Sequence, residues 1–269
     1  MTSVTTLDPP RWADWEELTT ADFSAGLPAR AVALLPVAAV EQHGPHLPLG
    51  TDAILTDAVV AAARDRGVSA ATLLRMPTQR AGLSPEHAAF PGTLSLDAET
   101  VIDAWTALGA SAARAGVRKL VILNGHGGQT GLVDVVATRL RAAHGMTVVR
   151  ATTFRLLGDA VDLGAREARY GLHGGLLETS MMMAAVPGLV RRDALADFAS
   201  AAEAWEKGFG ALEAEGATGL GWMAEDLNPA GVTGNAAAAT AELGERIIAA
   251  MADRLTAVID DLARFGGLA

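Results

Sequence analysis

Ala31-Val32-Ala33-Leu34-Leu35-Pro36-Val37-Ala38-Ala39-Val40 runs without a break into Glu41-Gln42-His43-Gly44-Pro45-His46-Leu47-Pro48-Leu49-Gly50-Thr51-Asp52. The first part is continuously apolar and rich in Val and Leu, which predicts a buried strand. The second part crowds two carboxylates and two imidazoles onto a loop stiffened by proline. Glu41 and His43 stand two residues apart, so on an extended backbone both side chains leave from one face. They can reach one metal ion, or two adjacent ones. Asp52 lies where the next helix begins, and it suits a bridging carboxylate and a helix cap equally well.

Composition narrows the chemistry. The chain has 269 residues, half of them hydrophobic, a net charge of −10 and a pI near 5.0. No basic run of five or more occurs, which argues against nucleic acid as a partner. There is no cysteine. Disulfides and thiolate metal sites are therefore excluded, and any metal must be held by imidazole and carboxylate. Met1 to Pro10 lack the basic and apolar segments of a signal peptide. The longest apolar run is about half of the roughly 20 residues that a membrane span needs. These features predict a soluble cytoplasmic protein with no membrane partner.

Outward from the opening stretch, the pattern alternates. Residues 1–30 read as irregular, with Trp12 and Trp15 on an arm that packs on the body or on a neighbouring subunit. A helix is expected over about 53–66, ended by Gly67, then a short strand over 71–76. A Gly/Pro-rich loop follows over 77–93. Residues 97–115 read as a helix with Val101, Ile102, Trp105 and Leu108 on one face. A strand at 119–123 enters Asn124-Gly125-His126-Gly127-Gly128-Gln129, and a helix over about 130–144 and a strand over 146–151 complete the regular half. Farther on, Gly171-Leu172-His173-Gly174-Gly175 opens a helix carrying Glu178 and Met181 to Met183. A polar helical stretch is expected over 193–215, a loop over 217–234, and one amphipathic helix over 235–264 with Leu243, Ile247, Met251, Leu255 and Ile259 on one stripe. Strand, loop and helix alternating in this way predict an α/β fold with a mostly parallel central sheet flanked by helices. Residues 1–269 are expected to form a single domain. Loops leaving the carboxyl ends of such strands converge on one crevice. That places Glu41, His43 and His126 on one edge.

Six histidines occur. His144 has a plain structural reading at a helix C-terminus. His43, His46, His126 and His173 all lie in glycine- or proline-containing loops, which shifts the balance toward a metal or acid/base site. His87 sits in the Gly/Pro loop. Gly127 and Gly128 allow close backbone approach and offer helix N-terminal amides to an oxyanion. A phosphate-binding glycine loop lacks its GxGxxG order here. His173 and Glu178 are open to three roles: late metal ligand, support for a ligand, or general acid/base.

The four ordered motifs, Glu41 to Asp52, Phe90-Pro91-Gly92-Thr93, Asn124-Gly125-His126-Gly127-Gly128 and His173-Gly174-Gly175 with Glu178-Thr179-Ser180, resemble the creatininase family. The resemblance spans roughly Ala31 to Pro187, with a weaker match in Asp226-Leu227-Asn228-Pro229. It implies an αβα sandwich and two divalent ions per chain, zinc, manganese or iron. By motif match Glu41 binds one ion with His126, His43 binds the other, and Asp52 bridges them. The implied reaction is hydrolysis of a non-peptide or cyclic amide C–N bond by water bridging the two metals. His173 is the candidate for passing a proton to the leaving nitrogen. The implied assembly is a homo-oligomer, a hexamer built from dimers.

Two departures matter. Creatinine hydrolases carry an aromatic residue and a glutamate where this chain has Gly127 and Gly128. A ligand to the second metal is lost there, and Glu178 is the expected replacement. Leu172 stands where creatinase-type pairing has a glutamate. The Gly-Gly version looks more like relatives that act on formamides or on the mycofactocin precursor peptide. Two other readings are carried: a metal-binding member of a complex that has lost catalysis, and a nucleotide-binding protein indifferent to chelators. His46 is assigned to the support or pocket of the site. The substrate walls are expected from 77–93, 152–172 and 217–234.

Overall fold

The sheet consists of five parallel strands, β1 (Arg11–Asp14), β2 (Ala31–Val37), β3 (Thr72–Arg75), β4 (Lys119–Asn124) and β5 (Thr147–Thr152), in the order β1-β3-β2-β4-β5. The computed structural model describes residues 11–268. The expectation that Met1 to Pro10 carry no signal peptide lies outside them. Five longer helices cover the sheet: α1 (Thr51–Arg66), α2 (Ala98–Arg114), α3 (Thr130–His144), α4 (Leu176–Ala185) and α5 (Ala241–Arg264). No helix among the described residues is long and apolar enough to cross a membrane.

Alternation along each strand sorts the core into two layers. Val32, Leu34, Leu73, Val121 and Leu123 face α1, α4 and α5. Ala33, Leu35, Val37, Leu74, Leu120 and Ile122 face α2 and α3. Both faces of the central strands are therefore covered, and this explains why the sequence shows continuous apolar runs rather than a polar/apolar alternation. On α5 the expected stripe holds, with Ile247, Met251, Leu255 and Ile259 fully buried.

Three expectations need correction. Residues 1–30 are not wholly irregular, because Arg11–Asp14 pairs in parallel with Thr72–Arg75 at the edge of the sheet. Trp12 packs on one core layer and Ala13 lies in the other, while Trp15 meets the Phe23 ring at 4.6 Å. The arm thus lies on the body. The polar stretch 193–215 is α-helical only over Ala202–Gly208, after a single 3-10 turn at Arg192–Ala194. Asp197–Phe198 instead pairs antiparallel with Gly234–Asn235. That pairing overrides local helix propensity and shortens the last helix, which begins at Ala241 under a Thr240 cap donated to by the Leu243 amide.

Asp260 on α5 anchors the start of β3. Its carboxylate accepts from the amides of Ser69, Ala70 and Ala71 at 2.9, 2.9 and 3.2 Å and from the Ser69 hydroxyl at 2.6 Å. Burial would raise its pKa, but the hydrogen bonds from Ser69 and the following amides outweigh this and lower it. Because the folded value lies below the unfolded one, this stabilisation is present above the ordinary aspartate pKa and is lost as pH falls through the folded value. Asp260→Ala is expected to cost about 2–4 kcal/mol at pH 7. In urea titrations the gap from wild type should close toward pH 3. A gap that stays constant with pH would contradict the assignment.

Candidate metal centre

The carboxyl ends of β2 and β4 feed the loops that build the centre. After Val37 the chain crosses the sheet edge, and the Glu41 amide donates to Leu49 O at 2.9 Å, closing the 41–49 loop on itself. The His43 Nδ1 lies 3.1 Å from its neighbour's carbonyl, Glu41 O. Donating there leaves the Nε2 electron pair facing inward. Asp52 sits in the first turn of α1, but Gly50 is the N-cap and no side chain caps the helix. Asp52 is therefore free for the site. On β4, the Asn124 side chain bonds both His126 O and His126 N, at 2.7 and 3.2 Å, which holds the turn that presents His126.

Glu41, His43, Asp52, His126, His173 and Glu178 are all buried. His43 Nε2 is 3.2 Å from Asp52 Oδ1 and 3.8 Å from Glu178 Oε1. His126 Nδ1 is 3.2 Å from Glu41 Oε2 and 3.5 Å from Asp52 Oδ2. Among the described residues four groups have their ligand atoms within 4.8 Å of one another: Glu41–His43–His173, Glu41–Glu86–His87, and the two triads Glu41–Asp52–His126 and His43–Asp52–Glu178 that would split the site between two ions. Asp52 belongs to both triads. The structure thus brings together every residue expected as a metal ligand.

The remaining expected residues fall into place around them. His173 Nε2 is 2.7 Å from Gln42 O, and its Nδ1 is 3.6 Å from Glu41 Oε1. Leu172 behind it packs with Tyr170, Trp205 and Trp222 around Leu227. Gly127 and Gly128 are exposed at the entry to α3. His46 turns away: its Nε2 is 2.9 Å from Gly174 O and 3.0 Å from Thr179 Oγ1, and its ring stacks on Phe198. It supports the turn between His173 and α4. His144 is exposed in the last turn of α3.

Sequence reasoning placed the turn Pro85–His87 only within the expected substrate wall 77–93 and gave Ser84, Glu86 and His87 no part in the metal centre. The Ser84 hydroxyl donates to Glu41 Oε2 at 2.5 Å, and His87 Nε2 lies 3.3 Å from Glu41 Oε1. The His87 ring stacks on His173 at 4.1 Å, and Gln42 Nε2 lies 2.7 Å from His87 Nδ1. Glu86 Oε1 lies 3.1 Å from His126 Nε2. The one available signal was a Ser-x-Glu-His cluster inside a proline-bounded loop.

The donor set fits divalent ions. Glu41 Oε1, His43 Nε2 and Asp52 Oδ2 are buried with no hydrogen-bond partner. Among the described residues, every ion-pair partner of Glu41, Asp52 and Glu178 is a histidine. Three buried carboxylates with no lysine or arginine need cationic compensation. Protons supply part of it. Burial opposes the charged form of His43 and of His126, yet Asp52 beside the first and Glu41 beside the second hold both imidazoles protonated well above the usual range. Burial and the nearby Glu41 charge push Asp52 up to about 7. Glu41 and Glu178 go the other way. Burial would raise them, but His126 for Glu41 and His43 for Glu178 outweigh it. Burial, with His43 close by, brings His173 down to about 4.

A divalent ion must displace these protons. Its affinity should fall as pH drops below about 7, and binding should release about one proton or more per ion. Titration calorimetry with Mn²⁺ near pH 6.5, in two buffers of different ionisation enthalpy, measures this. Heats that do not depend on the buffer would contradict it.

Comparison with known proteins agrees with the geometry. The Creatininase family (creatinine amidohydrolase) matches residues 16–259. The chain is 32% identical over 242 residues to a mycofactocin precursor peptide peptidase of Mycobacterium tuberculosis, covering 86% of this chain and 85% of the relative. It is 32% identical over 198 residues to the creatinine amidohydrolase of Pseudomonas putida, covering 67% and 75%. A solved manganese creatininase superposes with a TM-score of 0.72 at 27% identity, over 94% of this chain and 98% of that one. With the parallel sheet, the two buried triads and these matches together, the chain belongs to the creatininase family of hydrolases.

Proposed function

We propose that this protein is a metal-dependent amidohydrolase that cleaves the C–N bond of a small amide at a centre of two divalent ions. The observation that carries this is Asp52, shared by two buried ligand triads in which Glu41 Oε1, His43 Nε2 and Asp52 Oδ2 have no hydrogen-bond partner. Glu41, Asp52 and His126 would hold one ion; His43, Asp52 and Glu178 the other. Glu178 then takes the place of a ligand at position 128, where this chain has glycine. Manganese suits the set, as do zinc and iron, since carboxylate and imidazole ligands serve all three. Bound ions would supply carbonyl polarisation and a more acidic water.

The chain's own groups do the rest. His173 donates from Nε2 to Gln42 O, so its Nδ1 carries the free electron pair. A pKa brought down to about 4 keeps it neutral near pH 7. It therefore takes a proton from the attacking water at Nδ1 and hands it to the leaving nitrogen, which departs as the amine. The exposed amides of Gly127 and Gly128 face the developing oxyanion. Beside Glu178 opens a cavity of about 520 Å³ with Phe154, Leu157, Val161 and Leu172 among its walls. That volume suits a small substrate with an apolar body.

A peptide amide is the second reading, favoured by the 32% identity to a peptidase over 86% of the chain. We place the protein in the cytoplasm as a homo-oligomer formed from one-domain subunits. The test is a panel of formamides, cyclic amides and short peptides incubated with the Mn²⁺-loaded enzyme, followed by amine release. Turnover of a small amide that chelator abolishes supports the first reading. Cleavage of peptides alone would replace it with the second, and no turnover across the panel would leave a metal-binding protein without this activity.

A further inference from the structure

We propose that Glu86 is the positioning residue for His126, and that position 128 is glycine because the Glu86 carboxyl fills the room a side chain there would need. This rests on the metal-site reading above. A Cβ built on Gly128 would stand 1.7 Å from Glu86 Oε1, 2.7 Å from Glu86 Cδ and 2.7 Å from His126 Nε2. A side chain at 128 and the present Glu86 carboxyl exclude each other. The carboxylate that approaches His126 thus comes from the 84–87 turn and not from the entry of α3.

The turn is built to place it. Ser84 bonds one oxygen of Glu41 and His87 approaches the other, so Glu86 is braced on both sides by neighbours that hold Glu41. His126 presents Nδ1 to Glu41 and Asp52, and turns Nε2 toward Glu86 at 3.1 Å. That contact lies off the N–H axis, since Nε2 closes no aligned hydrogen bond. At 3.1 Å a small rotation of either side chain brings the Glu86 oxygen onto that axis as the acceptor for Nε2–H. A carboxylate at the far nitrogen selects the tautomer with Nδ1 free, resists a half-turn of the ring and makes the ligating nitrogen more basic. The alternative is direct ligation, because Glu41, Glu86 and His87 also lie within ligand reach of one another.

Mn²⁺ affinity separates these roles. It would be measured by equilibrium dialysis on Glu86→Ala, Glu86→Gln, Gly128→Ala and the double Glu86→Ala/Gly128→Ala, with thermal melts in chelator to show that each variant folds. Glu86→Ala and Gly128→Ala should each weaken binding by about 10–100-fold. The double should fall well short of the product of the single effects, because both lesions remove the Glu86 contact and only the crowding of His126 Nε2 by the Cβ added at position 128 is separate. Glu86→Gln should stay within about threefold of wild type, since its amide oxygen still accepts from Nε2. The proposal is overturned if Glu86→Ala binds like wild type, if Glu86→Gln falls as far as Glu86→Ala, or if the single effects multiply in the double. Wild-type protein that binds no ion would sink the metal-site reading itself, a result distinct from all of these.

Discussion

Asp52→Ala is expected to abolish the centre while sparing the fold. Asp52 faces His43 at 3.2 Å with one oxygen and His126 at 3.5 Å with the other, and no other residue belongs to both triads. In the proposed two-ion centre its loss would remove a ligand from each ion and the charge that would offset their mutual repulsion. On any amide turned over by the wild type, kcat/KM should fall by roughly 10³-fold or more, equivalent to about 4 kcal/mol. Stability in chelator should move the other way. The Asp52 carboxyl is raised to about 7 by burial and by Glu41, so its ionisation opposes folding as pH rises above the unfolded value. At pH 8 the variant in chelator should therefore melt no lower than wild type. A variant that keeps its activity, or that loses it only by unfolding, would contradict this role.

Gly244→Ala is expected to do the reverse, breaking the fold first and the site as a consequence. In an ordinary helix interior alanine is better than glycine by about 0.5–1 kcal/mol. At 244 the added Cβ would lie 1.9 Å from Ser180 O and 2.4 Å from Ser180 C, which are backbone atoms of α4. No rotamer change relieves such an overlap, so α5 must back away from α4. The expected loss is about 3 kcal/mol, seen as a fall in Tm of roughly 6–12 °C. Glu178 rides on α4, so Mn²⁺ affinity should weaken as well. An unchanged or higher Tm would show that the two helices have slack that the structure does not contain.

The contrast between these residues explains what could be read in the sequence. Glu41, His43 and Asp52 are legible because they lie in one segment, where strand geometry and a helix start dictate direction. His126 is legible because a strand-to-helix turn carries it, and Glu178 because it opens a helix just after a glycine pair. Both core layers follow from β2 and β4, whose apolar runs are long enough to show their class. Glu86 and His87 are a different case. Their partners come from residues about 40 positions away on either side, and only the folded path of 77–93 brings them together. No periodicity records such a path. The edge strand Arg11–Asp14 is too short to show alternation, and its place depends on β3. The stretch 193–215 misleads because its polar residues favour a helix locally, while pairing of Asp197–Phe198 with Gly234–Asn235 decides the outcome.

The central claim is that two ions share Asp52. Metal content by inductively coupled plasma mass spectrometry, after equilibration of wild type and Asp52→Ala with Mn²⁺ and removal of free ion, tests it directly. The account predicts about two ions per wild-type chain and one or none in the variant. A wild type that holds a single ion, or a variant that still holds two, would contradict it.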